Sequence, residues 1–189
     1  MILPIVTYGH PVLRQKGARI ETITPEITDL IADMMDTMRD ANGIGLAAQQ
    51  IGRELQLTVI DVTGMTDRPS TLKLGGKDAA PESIMPLVLM NPEVKPLNDP
   101  VAGPEGCLSF PELYGDITRP ESVEVTAMNE KGETINFVCG GLLARAVQHE
   151  TDHLHGILYI DRMSKSARAK LKSELDALIY QTKREMGQR

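Results

Sequence analysis

The sequence places two histidines four residues apart, in the run HETDH at residues 149–153. Four residues advance an α-helix by about 400°, so both imidazole rings would lie on one face, one turn apart. Such a pair can bind one metal ion, and Glu150 beside the first histidine can act as a base in metal-assisted hydrolysis. Four apolar residues that precede the run favour a helix: Leu142, Leu143, Ala146 and Val147. The pattern predicts a metal-dependent hydrolase.

A catalytic zinc or iron site usually takes three protein ligands and leaves one position open, so a third ligand is needed. Metalloproteases with a third histidine place it three residues after a glycine. Here Gly156 is in place, but Tyr159 occupies the ligand position. Metalloproteases with a downstream acidic ligand would need Glu174, which lies in a charged stretch and is predicted to be solvated. A protease that cleaves internal peptide bonds is therefore the second interpretation of the site.

The remaining histidines and the two cysteines are the other candidate ligands. His155 would point about 200° away from the pair on a helix, and His10 lies in a turn, so the first is predicted to be exposed and the second structural. Cys107 follows Gly106, whose missing side chain lets the backbone approach a metal, whereas Cys139 ends an apolar strand pattern. These positions favour Cys107 over Cys139 as the third ligand without excluding Cys139.

Three motifs of this sequence resemble those of the peptide deformylase family. The family patterns G-x-G-L-A-A-x-Q, E-G-C-L-S and H-E-x-D-H are complete and in order at residues 43–50, 105–109 and 149–153. The resemblance includes the segment YGHPVL at 8–13 and covers about residues 3–163. It implies an enzyme that removes the formyl group from the N-terminal formyl-methionine of new proteins. The spacing of the residues by itself indicates only a hydrolase of some amide.

The resemblance also implies a role for each site residue. It gives three metal ligands: Cys107, His149 and His153. It gives Glu150 as base and proton shuttle, and Gln50 with the Leu108 backbone N–H as donors to the oxyanion. Fe(II) is the implied native metal, and zinc, nickel or cobalt also suit these donors in purified protein. A structural metal protein without activity is a further alternative, which the intact Glu150 and Gln50 argue against.

The substrate is expected to be an N-formyl-methionyl nascent peptide in extended form. Small residues at its binding groove would let its backbone approach, as in strand addition. Five residues are expected to contact it: Ile44, Gly45, Gly106, Leu142 and Ala146. Arg145, one turn before His149, is expected to extend outward to solvent. Asp152 is expected to be buried and paired with Arg119.

Strand and helix patterns alternate irregularly, which predicts an α+β fold. We expect small mixed or antiparallel sheets around a central metal-binding helix, with a C-terminal helix, in one domain of residues 1–189. Helices are predicted at 25–42, 142–154 and about 164–186. Strands are predicted at 55–62, 87–90, 122–128 and 133–138, the last two joined as a hairpin. Residues 63–86 are predicted to form a long loop.

Composition and charge limit the function classes. The 41% apolar content is ordinary for a globular domain, and no apolar run reaches membrane-span length, so a cytoplasmic enzyme without a membrane partner is expected. The net charge of -6 argues against DNA binding. Residues 162–189, however, hold eight Lys/Arg and three Asp/Glu, a local charge of +5. This C-terminal segment is either a plain amphipathic helix or a contact with ribosomal RNA.

Overall fold

The computed structural model describes residues 1–187, which form nine strands and four α-helices. The strands are β1 (Gly45–Ala47), β2 (Leu57–Ile60), β3 (Ser70–Leu74), β4 (Lys77–Ala79), β5 (Leu87–Pro96), β6 (Pro100–Cys107), β7 (Phe110–Pro120), β8 (Ser122–Met128) and β9 (Thr134–Gly141). The helices are α1 (Pro25–Asp40), α2 (Leu142–Leu154), α3 (Lys165–Lys170) and α4 (Lys172–Gly187). None of the helices in this described range has both the length and the apolar character needed to cross a membrane.

Seven strands form one antiparallel sheet in the order β1-β2-β5-β8-β9-β3-β4, and β6 pairs with β7 in a separate two-stranded sheet. The apolar residues of α2 pack into a core cluster with the large sheet. On its other side, α2 contacts β7, because Gln148 Nε2 donates a hydrogen bond to the Pro120 carbonyl. The predicted α+β class with a central helix is confirmed.

Helix α1 forms where its sequence pattern predicts. The Thr24 hydroxyl accepts a hydrogen bond from the Ile27 N–H, and Pro25 occupies the first turn, where its missing N–H costs nothing. Its apolar stripe is buried against β1 and β2, at Leu30, Ile31, Met34, Met35 and Met38. The helix thereby supports β1, which forms one wall of the site described below.

The prediction of a long loop over residues 63–86 is wrong. Strands β3 and β4 form a hairpin there, turning at Gly75 and Gly76, which both have positive φ. Only Leu72 of β3 is buried, so the segment lacks the alternation that marks a strand. Pairing of β3 with β9 holds it instead, and such a long-range contact leaves no local pattern.

Two further strand regions differ from the prediction. Strand β5 continues past residue 90 to Pro96, through a register shift at which Asn91 has a φ of 52°. Strands β6 and β7 were not predicted at all. Their glycines and prolines, at 103–106 and 111–115, are residues that strands usually avoid. Pairing between the two strands overrides that propensity.

The C-terminal segment packs as predicted but is not one helix. It is divided at Leu171 into α3 and α4, and the Ser164 hydroxyl caps α3 by accepting a hydrogen bond from the Ala167 N–H. Leu175 is buried in a core cluster with Phe110 and other residues. This packing fixes both helices against the rest of the domain.

Candidate active site

Helix α2 and the end of β6 bring together three side chains that could bind one metal ion. Cys107 Sγ lies 3.4 Å from His153 Nε2, and one ligand atom from each of Cys107, His149 and His153 lies within 4.8 Å of the others. The two histidine rings are 5.1 Å apart, as expected for positions one helical turn apart. Cys139 is buried in the core cluster of the large sheet, where burial raises the pKa of its thiol to about 12. Cys107 is therefore the cysteine that the fold brings to the histidines.

The donor set fits a divalent metal that prefers nitrogen and sulfur ligands. Glu150 is 5% exposed, its Oε2 is buried, and that oxygen has no hydrogen-bond partner among the described residues. Burial raises the pKa of Glu150 to about 7. Buried polar atoms usually have a hydrogen-bond partner, so this oxygen is available to accept a hydrogen bond from a molecule bound beside the three side chains.

The ring of His149 is oriented by Glu105. His149 Nδ1 lies 2.8 Å from Glu105 Oε1, and Arg119 donates to the same carboxylate through Nε at 2.6 Å and Nη2 at 3.0 Å. Burial raises the pKa of Glu105, but hydrogen bonds with His149 and Arg119 hold it at about 2. An ionised carboxylate only accepts hydrogen bonds, so Nδ1 must donate and Nε2 is left for a metal.

The ionic network continues to the far side of α2. Arg119 Nη1 donates to Asp152 Oδ2 at 2.9 Å, and Arg162 Nη2 donates to Asp152 Oδ1 at 2.9 Å. Asp152 is 8% exposed, so the predicted burial and pairing with Arg119 are confirmed. The role of Glu105 was not predicted, although its place two residues before Cys107 in a matched motif could have suggested it.

The prediction that Arg145 extends to solvent is wrong. Arg145 is 8% exposed, and its guanidinium donates to Glu105 Oε2 at 2.9 Å and to the Ile117 and Val101 carbonyls at 2.7 and 2.9 Å. Strands β6 and β7 cover it, and the sequence pattern did not reveal those strands. The ion pair with Glu105 and the two carbonyl acceptors offset the cost of burying this guanidinium.

A groove of about 430 Å³ runs past the cluster. Its lining includes residues 43–45, residues 104–108, His149 and Glu150. All five residues expected to contact substrate line this groove: Ile44, Gly45, Gly106, Leu142 and Ala146. A Cβ on Gly45 would lie 2.6 Å from Glu150 Oε1, so glycine is required for the strand to approach the glutamate. Met65, Arg68 and Tyr114 also line the groove and were not predicted.

A family described as Polypeptide deformylase matches residues 2–169 of the chain. The chain belongs to that family. A peptide deformylase from Opitutus terrae is 43% identical over 185 residues, which cover 97% of this chain and 96% of that protein. Among solved structures, a deformylase of Synechococcus elongatus in complex with actinonin is 40% identical, with a TM-score of 0.77 and coverage of 93% and 85%. A deformylase 1B of Arabidopsis thaliana in complex with an inhibitor is 36% identical, with a TM-score of 0.82 and coverage of 98% and 94%.

Gln50, the predicted oxyanion donor, is buried beside Cys107. It is 1% exposed, and its Oε1 accepts a hydrogen bond from the Ala47 N–H at 2.9 Å. That bond directs Nε2 toward Ser109 Oγ at 3.2 Å and Cys107 Sγ at 3.5 Å. Leu108 lies in the turn next to Cys107, and its side chain packs against Gly43. Leu108 therefore lines the groove, and Gln50 contacts the Cys107 thiol.

The alternative ligands lie elsewhere in this deformylase-family fold. The Tyr159 hydroxyl donates to the Leu113 carbonyl at 2.7 Å, and its ring packs against the back of His149. His10 Nδ1 accepts from the Val12 N–H, which is a structural role, and His155 is exposed. Glu174 is exposed on α4. None of these side chains joins the Cys–His–His cluster, so the protease pattern of ligands is not formed.

Proposed function

We infer that this chain is a metal-dependent hydrolase that removes the formyl group from the N-terminal formyl-methionine of newly made proteins. The observation that carries this function is the cluster of Cys107 with two histidines in the lining of a groove. Beside it lies a buried Glu150 oxygen that has no hydrogen-bond partner within residues 1–187. Membership of the polypeptide deformylase family specifies the amide as a formamide. We also propose a cytoplasmic location, because ribosomes make formylated chains there.

Cys107, His149 and His153 would hold one divalent metal, with Fe(II) as the native ion and zinc, nickel or cobalt as substitutes. When bound, the metal supplies a Lewis acid that polarises the formyl carbonyl and lowers the pKa of a water molecule. The hydrogen bond from His149 to Glu105 keeps the imidazole in the tautomer that binds a metal through Nε2.

Glu150 acts as the base and then as the acid. Its carboxylate takes a proton from the attacking water as the oxygen bonds to the formyl carbon. It then delivers that proton to the departing amine, so that formate and a free N-terminus result. Gln50 Nε2 and the Leu108 N–H donate to the formyl oxygen while it carries negative charge. A raised pKa suits Glu150 to both proton transfers.

The peptide lies extended in the groove between residues 43–45 and 104–106. Strand β1 is at one end of the seven-stranded sheet, so its outer edge can pair with a peptide backbone. Gly45 and Gly106 permit close approach of that backbone, while Leu142 and Ala146 line the space for the methionine side chain.

Incubation of anaerobically purified, metal-loaded protein with a formyl-methionyl peptide should release formate and leave every internal peptide bond intact. The matched control is the same peptide without the formyl group, which should be unchanged. Formate is measured enzymatically and the peptides by mass spectrometry. Internal cleavage of either peptide without release of formate would instead support the metalloprotease interpretation.

The basic C-terminal helices favour a second role, in contact with ribosomal RNA. Lys165, Lys170 and Lys183 are exposed and have no ion-pair partner among the described residues, whereas Arg168 and Lys172 are paired with aspartates. The apolar residues of both helices pack on the domain, so these lysines are presented on a fixed surface. Contacts with phosphates through this surface would bring the groove to the emerging peptide without using any site residue.

The combined variant Lys165→Gln, Lys170→Gln and Lys183→Gln should bind ribosomes more weakly and with a smaller salt dependence. Each lost phosphate contact removes about 0.7 to 0.9 from the slope of log affinity against log salt, so the slope should fall by about 2 to 3. The matched control changes three exposed lysines outside the helices: Lys73, Lys95 and Lys131. Co-sedimentation at several salt concentrations measures both, and equal binding by the two triple variants would contradict the ribosome contact.

A further inference from the structure

The proposed ligands come from two parts of the fold that share no sheet hydrogen bonds. Cys107 ends β6 in the two-stranded sheet, whereas His149 and His153 lie on α2, which packs on the seven-stranded sheet. A metal site tolerates only small errors in ligand position. Side chains between α2 and the β6–β7 hairpin must therefore set the distance from the thiol to the two imidazoles.

Arg145 is the side chain of α2 that reaches the backbone of both strands. It donates to the Val101 carbonyl of β6 at 2.9 Å, to the Ile117 carbonyl of β7 at 2.7 Å and to the Glu105 carboxylate at 2.9 Å. Its guanidinium lies against Gly103, where a Cβ would be 3.0 Å from Nη2. The planar fork of an arginine can make these contacts together, and the single ammonium of a lysine cannot.

Arg119 makes a second connection between the same elements, which starts on the hairpin and reaches α2. It belongs to β7 and binds Glu105 and Asp152, so it also joins the hairpin to α2, but through side chains alone. Loss of Arg145 would leave Glu105 still paired with Arg119 and still oriented toward His149. Gln148 of α2 also binds the hairpin backbone, but only at Pro120 of β7. Among the described residues, Arg145 alone provides a hydrogen bond from an α2 side chain to the backbone of β6, the strand that ends at Cys107.

We propose that Arg145 is a positioning residue that holds the β6–β7 hairpin, and with it the Cys107 thiol and the Leu108 N–H, at the correct distance from His149 and Glu150. This inference rests on the proposed function, because it assumes that Cys107 and the histidines share a metal. Arg145 lines the groove together with Leu142 and Ala146, so the substitution that tests the proposal should keep a side chain of similar length.

Arg145→Met keeps a side chain of comparable length and removes the guanidinium. Its dissociation constant for Co²⁺ should rise about 10- to 100-fold, as for other residues that orient metal ligands. The thiolate-to-cobalt charge-transfer band should weaken while both histidines remain bound. With formyl-methionyl peptide, kcat should fall while KM changes little, because the groove wall is retained. Arg145→Lys should lie between this variant and the wild type on each measurement.

Leu30→Ala is the matched control, because Leu30 is buried on α1 in a different core cluster. It should lower thermal stability while leaving the Co²⁺ affinity and the charge-transfer band unchanged. If both variants lose metal affinity equally, or if neither does, Arg145 has no positioning role. Should Arg145→Met fail to fold by circular dichroism, Arg145→Lys provides the same comparison. A wild-type protein without a thiolate band would instead contradict the proposed metal site itself.

Discussion

Glu150→Gln should bind metal as tightly as the wild-type protein and lose deformylation by about 10²- to 10⁴-fold, the usual contribution of a general acid–base residue. The amide has nearly the same shape as the carboxyl group, so it fits in the narrow space beside Gly45. It cannot accept and return a proton. Metal content by elemental analysis and the rate of formate release from a formyl-methionyl peptide measure the two properties separately.

Glu174→Gln is the control for this substitution, because Glu174 is exposed on α4 and offered the protease interpretation its acidic ligand. It should change neither metal content nor rate. Near-normal turnover by metal-loaded Glu150→Gln would remove Glu150 from the mechanism. Loss of metal from Glu150→Gln would show instead that the carboxylate is a ligand, contrary to the roles proposed here.

Cys107→Ala should lose the metal and, as a result, nearly all activity. Substitution of an orienting residue such as Arg145 is expected to weaken metal affinity about 10- to 100-fold. The loss of affinity in Cys107→Ala should be larger, because a direct ligand is removed. In the wild-type protein loaded with zinc, X-ray absorption should show one sulfur ligand at about 2.3 Å, and the variant should show none. The Fe(II) form should be inactivated by oxygen, since both the metal and the thiolate are oxidised.

Cys139→Ala provides the control for the cysteine. Its thiol is 1% exposed within the core cluster, so substitution should lower stability slightly and leave the metal–sulfur signal unchanged. A sulfur signal that disappears with Cys139→Ala and persists with Cys107→Ala would reverse the assignment of the third ligand. Retention of full activity by Cys107→Ala would show that two histidines suffice.

Some of the site follows from local sequence alone. The four-residue spacing of His149 and His153 puts both on one face of any helix, and the apolar residues before them predict that helix. Thr24 and Pro25 likewise predict the start of α1. These features depend on residues a few positions apart, whose relative placement is set by helix geometry before any tertiary contact forms.

The identity of the third ligand follows less directly from the local sequence than the histidine pair does. Spacing favoured Cys107 over Cys139, and the matched motifs supported the same choice, but neither gave a distance. The fold buries Cys139 in the core of the large sheet and places the Cys107 thiol 3.4 Å from His153 Nε2, which supports Cys107. In the same way, Tyr159 stands where a protease would carry a ligand, and the fold uses its hydroxyl to bind the Leu113 carbonyl.

Only the tertiary structure determined what holds the ligands in place. Strands β6 and β7 contain glycines and prolines and show no clear alternation, so their existence depends on pairing with each other. Because that hairpin was not predicted, Arg145 was expected in solvent, and Glu105 received no role. Both are buried where α2 meets the hairpin. The hydrogen bonds of Glu105 with Arg145 and His149 there join residues that are 40 and 44 positions apart in the chain. Helical periodicity acts over a few residues and predicts which side chains share a face, whereas burial of a charge depends on which distant strand comes to cover it.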